Sequence, residues 1–191
     1  MKDLLTYAVS AFIGFFAIMN PIANTPIFLG LVEDANATEQ KKIARTATIT
    51  AFLIVTAFVI LGKYIFEIFG ITIPAFKITG GILIFYVGFE MLMSQKSRIH
   101  NNKHHDPDSS VAISPLAIPI LAGPGTIVTA MNNVTDADFI HVGIVLAMFA
   151  LMVLLTYIAF ITGERITKKL GVNFIAVIGK LMGLILAIIG T

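Results

Sequence analysis

The chain has 191 residues, of which 57% are hydrophobic and only 13% are charged, and its mean hydropathy is +0.92. Because soluble domains carry about 25% charged residues, this composition predicts a multi-span integral membrane protein and excludes a sizeable soluble domain. The net charge of +2 is too small to indicate nucleic-acid binding, and the absence of cysteine excludes disulfides and cysteine-ligated metals.

Six apolar segments approach or exceed the ~20 residues that a membrane-spanning helix needs. They cover residues 4–31, 44–66, 73–93, 111–134 and 139–162, and a sixth begins near residue 173. We therefore predict an all-α protein with six transmembrane helices. Residues 1–95 and 111–191 would form two three-helix halves, separated by a polar loop at 96–110.

The first segment contains two prolines within FFAIMNPIANTPIFLGL. Pro21 lacks an N–H and clashes with the preceding turn, so the first helix is expected to end near Met19. Thr25 and Pro26 predict where the helix restarts, with the threonine as N-cap and the proline at the first helical position. The polar side chains available at this break are those of Asn20, Asn24 and Thr25.

The third segment and the loop that follows it hold several ionisable residues. Lys77 is expected to extend towards the lipid headgroups. Glu90 lies within an apolar segment, where a carboxylate could carry a coupling proton, although a solvated or lysine-paired Glu90 is also consistent with its place near the end of that segment. The loop histidines, His100, His104 and His105, fall in a polar stretch that we interpret as a solvated linker rather than a metal site.

The fourth segment repeats the interruption with smaller residues, in SPLAIPILAGPGTIVTAM. Pro119 is expected to bend it, and Gly123, Pro124 and Gly125 are expected to unwind it. Either Gly125 or Thr126 could cap the helix that resumes there.

Paired breaks at matching positions in two halves are typical of transporter binding sites, because unpaired backbone groups at membrane depth are costly unless they line a cavity. Helix N-terminal ends attract a carboxylate and C-terminal ends attract an ammonium group. Glycine leaves little room, so the breaks favour a small zwitterion. The alternative is that proline and glycine merely kink tightly packed helices.

The two halves resemble internal repeats. Pro21, Gly62, Gly70 and Gly88 recur 101 to 103 residues later as Pro124, Gly163, Gly171 and Gly190. Lys180, inside the sixth segment, is in approximate register with Lys77, and it could bind a carbonyl end or a carboxylate. Three spans per repeat would insert the second repeat upside down, which is a 3+3 inverted repeat with discontinuous first and fourth helices.

Lysine and arginine near the ends of the spans predict the orientation. Nine lie on one face of the membrane, namely Lys41, Lys42, Arg45, Lys96, Arg98, Lys103, Arg165, Lys168 and Lys169. Only Lys2, Lys63 and Lys77 lie on the other face. We predict a multi-pass protein of the cell (plasma) membrane with both termini outside.

The segments MNPIANTPIFL and PLAIPILAGPGTI resemble the MarC family of integral membrane proteins, which includes SnatA-type transporters of small neutral amino acids. The resemblance extends over essentially the whole chain. It implies that Asn20, Pro21, Asn24 and Pro26, with Gly123, Pro124 and Gly125, occupy the family's motif positions, and that the cargo is similar to glycine or alanine.

The residues and the resemblance together predict a secondary transporter of small neutral amino acids or related small metabolites. A membrane channel and a non-transporting membrane scaffold remain the alternatives. No enzyme motif or nucleotide-binding loop occurs, so we expect neither catalysis nor a cofactor, and a coupling ion would be H⁺ or Na⁺. The expected partners are the small-molecule substrate, the lipid bilayer and further copies of the chain in a homo-oligomer.

Overall fold

The computed structural model describes residues 2–93, 112–135 and 137–191, and every regular element in those ranges is a helix. This confirms the predicted all-α class. The elements in chain order are α1 (Lys2–Met19), α2 (Pro21–Leu31), α3 (Ala37–Phe69), α4 (Ile73–Met93), the π-helix π1 (Ala112–Leu121), α5 (Pro124–Val134), α6 (Phe139–Ile161), α7 (Gly163–Leu170) and α8 (Val172–Ile189). The polar loop predicted at 96–110, with its histidines, lies outside the described residues.

Four stretches of the described chain are long and apolar enough to cross a membrane, at Asp3–Leu31, Ala37–Gly62, Ile73–Met93 and Phe139–Ile161. A fifth arises if α7 and α8, which are bent by 98°, are counted as one span. Six continuous spans are therefore not confirmed. The predicted fourth span is divided into π1 and α5, of 10 and 11 residues, each shorter than a spanning helix needs to be.

A capping box fixes the beginning of α3. The Asn36 side-chain oxygen accepts hydrogen bonds from the main-chain N–H groups of Thr38 and Glu39, each at 3.0 Å. In return, the Asn36 N–H donates to the Glu39 carboxylate at 2.9 Å. These bonds satisfy N–H groups that have no intrahelical partner, so α3 starts sharply at the surface, several residues before its apolar part.

Two glycines in left-handed conformations end helices at corresponding places in the two halves. Gly70, with φ of 62°, ends α3, and Gly171, with φ of 76°, ends α7. Among the described glycines only these two have positive φ. Glycine accepts this backbone without steric cost, so the chain can change direction there, and α8 leaves α7 at 98°.

Helices α4 and α8 pack closely in antiparallel fashion through four glycines. A Cβ on Gly81 would lie 2.9 Å from the Gly190 carbonyl oxygen, and a Cβ on Gly88 would lie 2.6 Å from that of Gly183. The two glycines on each helix are seven residues apart, so they lie on one face. Small residues on facing helix surfaces allow this close approach.

Aromatic side chains fill the core between α1, α2, α3 and α6. The Phe149 ring lies 5.0 Å from that of Phe15 and 6.0 Å from that of Phe52, and Phe28 stacks on Phe160 at 4.4 Å. Around this core, α1 packs on α6 and π1 packs on α3. Likewise α2 packs on α6 and α8, whereas α5 packs on α3 and α4.

Candidate functional site

Helices α1 and α2 follow one another along a single span that is interrupted only at Asn20. Its φ of 34° and ψ of 68° are left-handed, and no other described residue except glycine has positive φ. Hydrogen bonds nevertheless continue across it. The Asn20 N–H donates to the Phe16 carbonyl at 2.9 Å, and the Asn20 carbonyl accepts from the Asn24 N–H at 3.0 Å. The break is therefore short.

Two asparagine side chains replace main-chain partners at this break. The Asn20 side-chain oxygen accepts from the Ala23 N–H at 3.2 Å and so caps α2. The Asn24 side-chain NH₂ donates to the Met19 carbonyl at 2.7 Å and so caps the end of α1. Since Pro21 brings no N–H, these bonds pair groups that the interruption would otherwise leave unsatisfied.

The side-chain Nδ2 of Asn20 is a buried donor with no acceptor among the described residues. Only 1% of the Asn20 surface is exposed. Buried polar groups are almost always hydrogen-bonded, and leaving one unpaired costs about 1–3 kcal/mol. The break therefore holds one N–H group that is free to bind an acceptor on a ligand.

The predicted restart at Thr25 and Pro26 is wrong. Helix α2 begins at Pro21 with Asn20 as its N-cap, and Pro26 lies inside the helix. Thr25 is fully buried, and its hydroxyl donates to the Pro21 carbonyl at 2.7 Å. Either proline suits the first helical position, but only Pro21 follows a side chain that caps the helix, so the helix resumes immediately.

The second break lies between π1 and α5. The Ala122 N–H donates to the Ala117 carbonyl at 2.8 Å, five residues back, as expected of a π-helix. Gly123 then takes an extended conformation as the N-cap of α5, which begins at Pro124. The predicted caps Gly125 and Thr126 are therefore wrong. Both are buried in the first turn of α5, and no side chain caps this helix.

The two breaks lie against each other. A Cβ on Gly14 of α1 would lie 3.3 Å from a Thr129 methyl group of α5. Four residues further along α1, the Ile18 Cδ1 atom lies 2.4 Å from the Cβ position of Gly125, four residues earlier in α5. Helices α1 and α5 therefore run antiparallel. Extending this register by two residues sets Asn20 level with Gly123. The breaks share a further feature. Asn20 and Gly123 are each followed by proline, and each carbonyl accepts a hydrogen bond from the N–H of the residue four positions later in the chain.

Burial differs among the predicted site residues. Thr25 and Thr126 are buried, and so are Pro21, Gly123 and Gly125. Asn24 and Pro26 are partly exposed, and Pro124 is exposed. The Ile18 side chain packs against Gly125, so a residue larger than glycine at this position would require the Ile18 side chain to move.

Two cavities lie elsewhere in the described bundle, and neither is lined by a break residue. One, of about 590 Å³, is bordered by α3, α4, α5 and α6 and includes Gly62, Met131 and Phe139 in its wall. The other, of about 470 Å³, lies between α3 and α6 and extends from Arg45 to Phe52. They flank opposite ends of the α3–α6 contact.

Lys180 and Glu90, the two predicted coupling residues, are exposed on the surface of the bundle. Lys180 follows Gly179, whose Cβ position would lie 3.5 Å from the Ala23 methyl group of α2. Lys180 is thus adjacent in sequence to a residue that packs near the first break, but its own side chain is exposed. Among the described residues no cluster of acidic and histidine side chains could hold a metal ion.

Three helices meet at the end of the α1–α5 contact that lies away from the breaks. The Tyr7 hydroxyl donates to the Asn133 carbonyl, and the Tyr7 ring meets His141 edge-on at 4.6 Å. Asp138 pairs with the His141 ring and accepts the His141 N–H at 3.0 Å. These bonds, the main-chain one foremost, hold the pKa of the Asp138 carboxyl below its usual value.

No signal in the sequence indicates the roles of Ile18 and Tyr7. Both lie in an apolar helix, where many residues have the same character. Their contacts with Gly125 and Asn133 depend on how α1 is rotated and shifted along α5. A tertiary register of that kind leaves no periodic pattern in a single sequence.

Comparison with known proteins gives matches over nearly the whole chain. A family model described as MarC family integral membrane protein matches residues 5–191. The UPF0056 membrane protein YvbG of Bacillus subtilis is 39% identical, over 97% of this chain and 91% of its own length. A UPF0056 membrane protein of Pyrococcus abyssi is 38% identical over 97% of this chain and 90% of its own. The UPF0056 inner membrane protein MarC of Escherichia coli is 27% identical, over 100% of this chain and 93% of its own length. No solved structure matches.

Proposed function

The chain belongs to the MarC family of integral membrane proteins, and on that premise we propose that it is a secondary transporter of small neutral amino acids, glycine- or alanine-like, or of related small metabolites. The observation that carries the proposal is the apposition of two proline-started helices, α2 and α5, with an unpaired buried amide donor at their junction. Broken helices that meet inside a membrane bundle are a recurring design of transporter sites.

The chemistry of the breaks suits a zwitterion. The beginnings of α2 and α5 favour a carboxylate through their N–H groups and helix dipoles, and Asn20 Nδ2 adds a donor. The ends of α1 and π1 present carbonyls that favour an ammonium group. None of the predicted contact residues carries a formal charge, which would be costly at membrane depth. The predicted contacts are Asn20, Pro21, Asn24, Thr25, Pro26, Gly123, Pro124, Gly125 and Thr126.

Size selection follows from the packing at the breaks. A Cβ on Gly125 would already lie 2.4 Å from the Ile18 Cδ1 atom, so a substrate with a long side chain would have to displace the Ile18 side chain. Small residues at a close helix contact therefore favour glycine and alanine over leucine or phenylalanine.

An inverted 3+3 repeat completes the proposal. Its support is that contacts occur in related pairs. The contact of Gly81 with Gly190 corresponds to that of Gly183 with Gly88. The contact of Gly62 with Met131 of α5 corresponds to that of Gly163 with Leu29 of α2. Likewise the packing of α1 on α6 has its counterpart in that of π1 on α3. Such symmetry would allow the two halves to exchange conformations, which is the basis of alternating access.

Energy for uphill transport would come from H⁺ or Na⁺, with Lys180 or Glu90 as coupling residues, because no nucleotide-binding motif is present in the sequence. The protein would act in the cell membrane without a cofactor or enzymatic activity, with both termini outside, alone or as a homo-oligomer.

Counterflow in proteoliposomes tests the transport function. The purified chain should exchange labelled glycine or alanine, and analogues lacking either the carboxylate or the ammonium group should compete at least tenfold more weakly. Asn20→Asp keeps the cap and the shape but replaces the NH₂ donor with a negative charge, so exchange should fall at least tenfold. Asn173→Ala, at an exposed position of α8, should leave exchange unchanged.

Two outcomes would contradict the proposal. Flux without trans-stimulation would identify a channel. No flux of any small amino acid by folded protein, under either ion gradient, would favour a non-transporting scaffold.

A further inference from the structure

A groove of about 470 Å³ lies on the membrane-facing surface between α3 and α6. One wall consists of Arg45, Thr48, Ile49 and Phe52, and the other consists of Ala150, Val153, Leu154 and Tyr157. On each helix these residues are three or four positions apart and so lie on one face. The groove is separate from the breaks, and the proposed transport function does not use it.

The groove is polar at one end and apolar at the other. Because α3 and α6 are antiparallel, Arg45 and Tyr157 stand at the same end, and Phe52 and Ala150 stand at the opposite end. The seven helical steps from Arg45 to Phe52 give it a depth of about 10 Å. The apolar end closes on a fixed surface, because Phe52 stacks on the fully buried Phe149 ring at 6.0 Å.

The polar end is at headgroup depth. Arg45 is the last charged residue before an uncharged run at 46–62, and 17 helical residues span about 26 Å, close to the thickness of a bilayer's hydrocarbon core. Ile49 and Leu154, one turn deeper, are 46% and 53% exposed, so in a bilayer the groove opens to lipid chains and not to water.

The charge at the polar end is positive. Arg45 is exposed and has no acidic partner among the described residues, and Lys41 lies one turn above it on the same helix face. The Thr48 hydroxyl donates to the Ala44 carbonyl at 2.8 Å. A guanidinium binds a phosphate with two hydrogen bonds, and basic residues at a membrane surface favour anionic lipids.

We propose that this groove is a binding site for an anionic phospholipid, with its phosphate at Arg45 and Tyr157 and one acyl chain lying along Ile49, Val153 and Leu154 to the Phe52 floor. A charged mouth at headgroup depth above an apolar groove that ends at Phe52 matches the two chemical parts of one lipid molecule. Neither a soluble anion nor a second protein chain would need both parts.

Native mass spectrometry of the full chain in detergent tests this site. Phosphatidylglycerol should bind more tightly than phosphatidylcholine with the same acyl chains. Arg45→Gln should weaken phosphatidylglycerol binding about fivefold, the effect of one basic residue near a membrane surface. The matched control Arg165→Gln removes an exposed charge from α7, outside the groove, and should change nothing.

A second pair of variants tests the apolar part. Ala150→Phe fills the groove and should weaken binding of both lipids at least fivefold. Ala57→Phe makes the same change at an exposed position of α3 outside the groove and should have no effect. Equal losses in Arg45→Gln and Arg165→Gln would overturn the proposal in favour of diffuse surface charge. A change of oligomeric state in Ala150→Phe, with lipid binding intact, would overturn it in favour of a contact between copies.

Discussion

Asn20 combines three properties that no other residue supplies at this position. It tolerates the left-handed backbone, its side-chain oxygen caps α2, and its NH₂ group remains free. Glycine would supply only the backbone. Aspartate would supply the backbone and the cap, but its charge would be costly at membrane depth. The residue type thus follows from the local geometry, and the unpaired donor is what remains available for a ligand.

The left-handed conformation of Asn20 predicts an unusual order of stability. Asn20→Ala and Asn20→Gly both remove the cap and the free donor, so they differ only in how well each accepts φ of 34°. Left-handed geometry costs a non-glycine residue about 1–2 kcal/mol. Asn20→Gly should therefore be more stable than Asn20→Ala by about 1 kcal/mol in denaturant unfolding in detergent micelles. At ordinary helix positions glycine is the less stable of the two by about 1 kcal/mol, and that order would contradict the assigned backbone.

At the scale of single helices, hydropathy predicts the parts that lie in lipid and misses the parts that do not. The prediction for α4, residues 73–93, agrees with Ile73–Met93, and α1 ends at Met19 as expected. Helix α3 extends to Ala37–Phe69, well beyond the predicted 44–66, because its first turns are held by the Asn36 capping box and not by apolar character. Helix α7 was also missed, because its sequence GERITKKL is polar and hydropathy does not detect it.

The break in the first span shows a different limit. The chain offers two prolines, Pro21 and Pro26, and either can begin a helix. The choice between them depends on which residue before the proline can cap the helix, and the Asn20 bond to Ala23 decides it in favour of Pro21. A rule based on residue types finds both possibilities, and only the three-dimensional hydrogen bond separates them.

The α4–α8 contact predicts a strong and position-specific glycine effect. A Cβ on Gly88 would lie 2.4 Å from the Ala187 main-chain nitrogen and 2.6 Å from the Gly183 oxygen, and main-chain atoms cannot rotate away. Gly88→Ala should therefore destabilise the protein by about 1–3 kcal/mol, measured by chemical unfolding in micelles. Gly143→Ala on α6, where a Cβ meets nothing within 4 Å, should be neutral or stabilising by about 0.5–1 kcal/mol. Equal effects of the two variants would mean that α4 and α8 are not in close contact.

At the scale of the whole molecule, the spacing of prolines and glycines that predicts a repeat is visible in the sequence, but the packing between the two halves is not. The offset of 101 to 103 residues between Pro21 and Pro124 or Gly70 and Gly171 can be counted from the chain. The packing of Ile18 on Gly125 cannot be derived from the sequence, because it depends on the register of α1 against α5. The halves also differ, because α3 continues through Gly62 as one helix, whereas α6 ends at Ile161 and α7 begins as a separate helix at Gly163.

The path of π1 and α5 decides how many times the chain crosses the membrane, and cysteine labelling can measure it. If they form one broken span, three crossings separate Thr72, between α3 and α4, from Glu164 on α7. If they enter and leave on the same side, there are two. We expect three, because α5 runs from the break towards the end where Tyr7 meets Asn133, and the basic residues then collect on one face.

The chain has no cysteine, so single substitutions give unambiguous labels. A membrane-impermeant maleimide should react with Thr72→Cys in intact cells, and with Glu164→Cys and Asp34→Cys only after permeabilisation. All three positions are exposed, so burial does not account for a difference. Reaction of Glu164→Cys from the same side as Thr72→Cys would make π1 and α5 a re-entrant pair. It would also remove the three-span second half on which the inverted repeat depends.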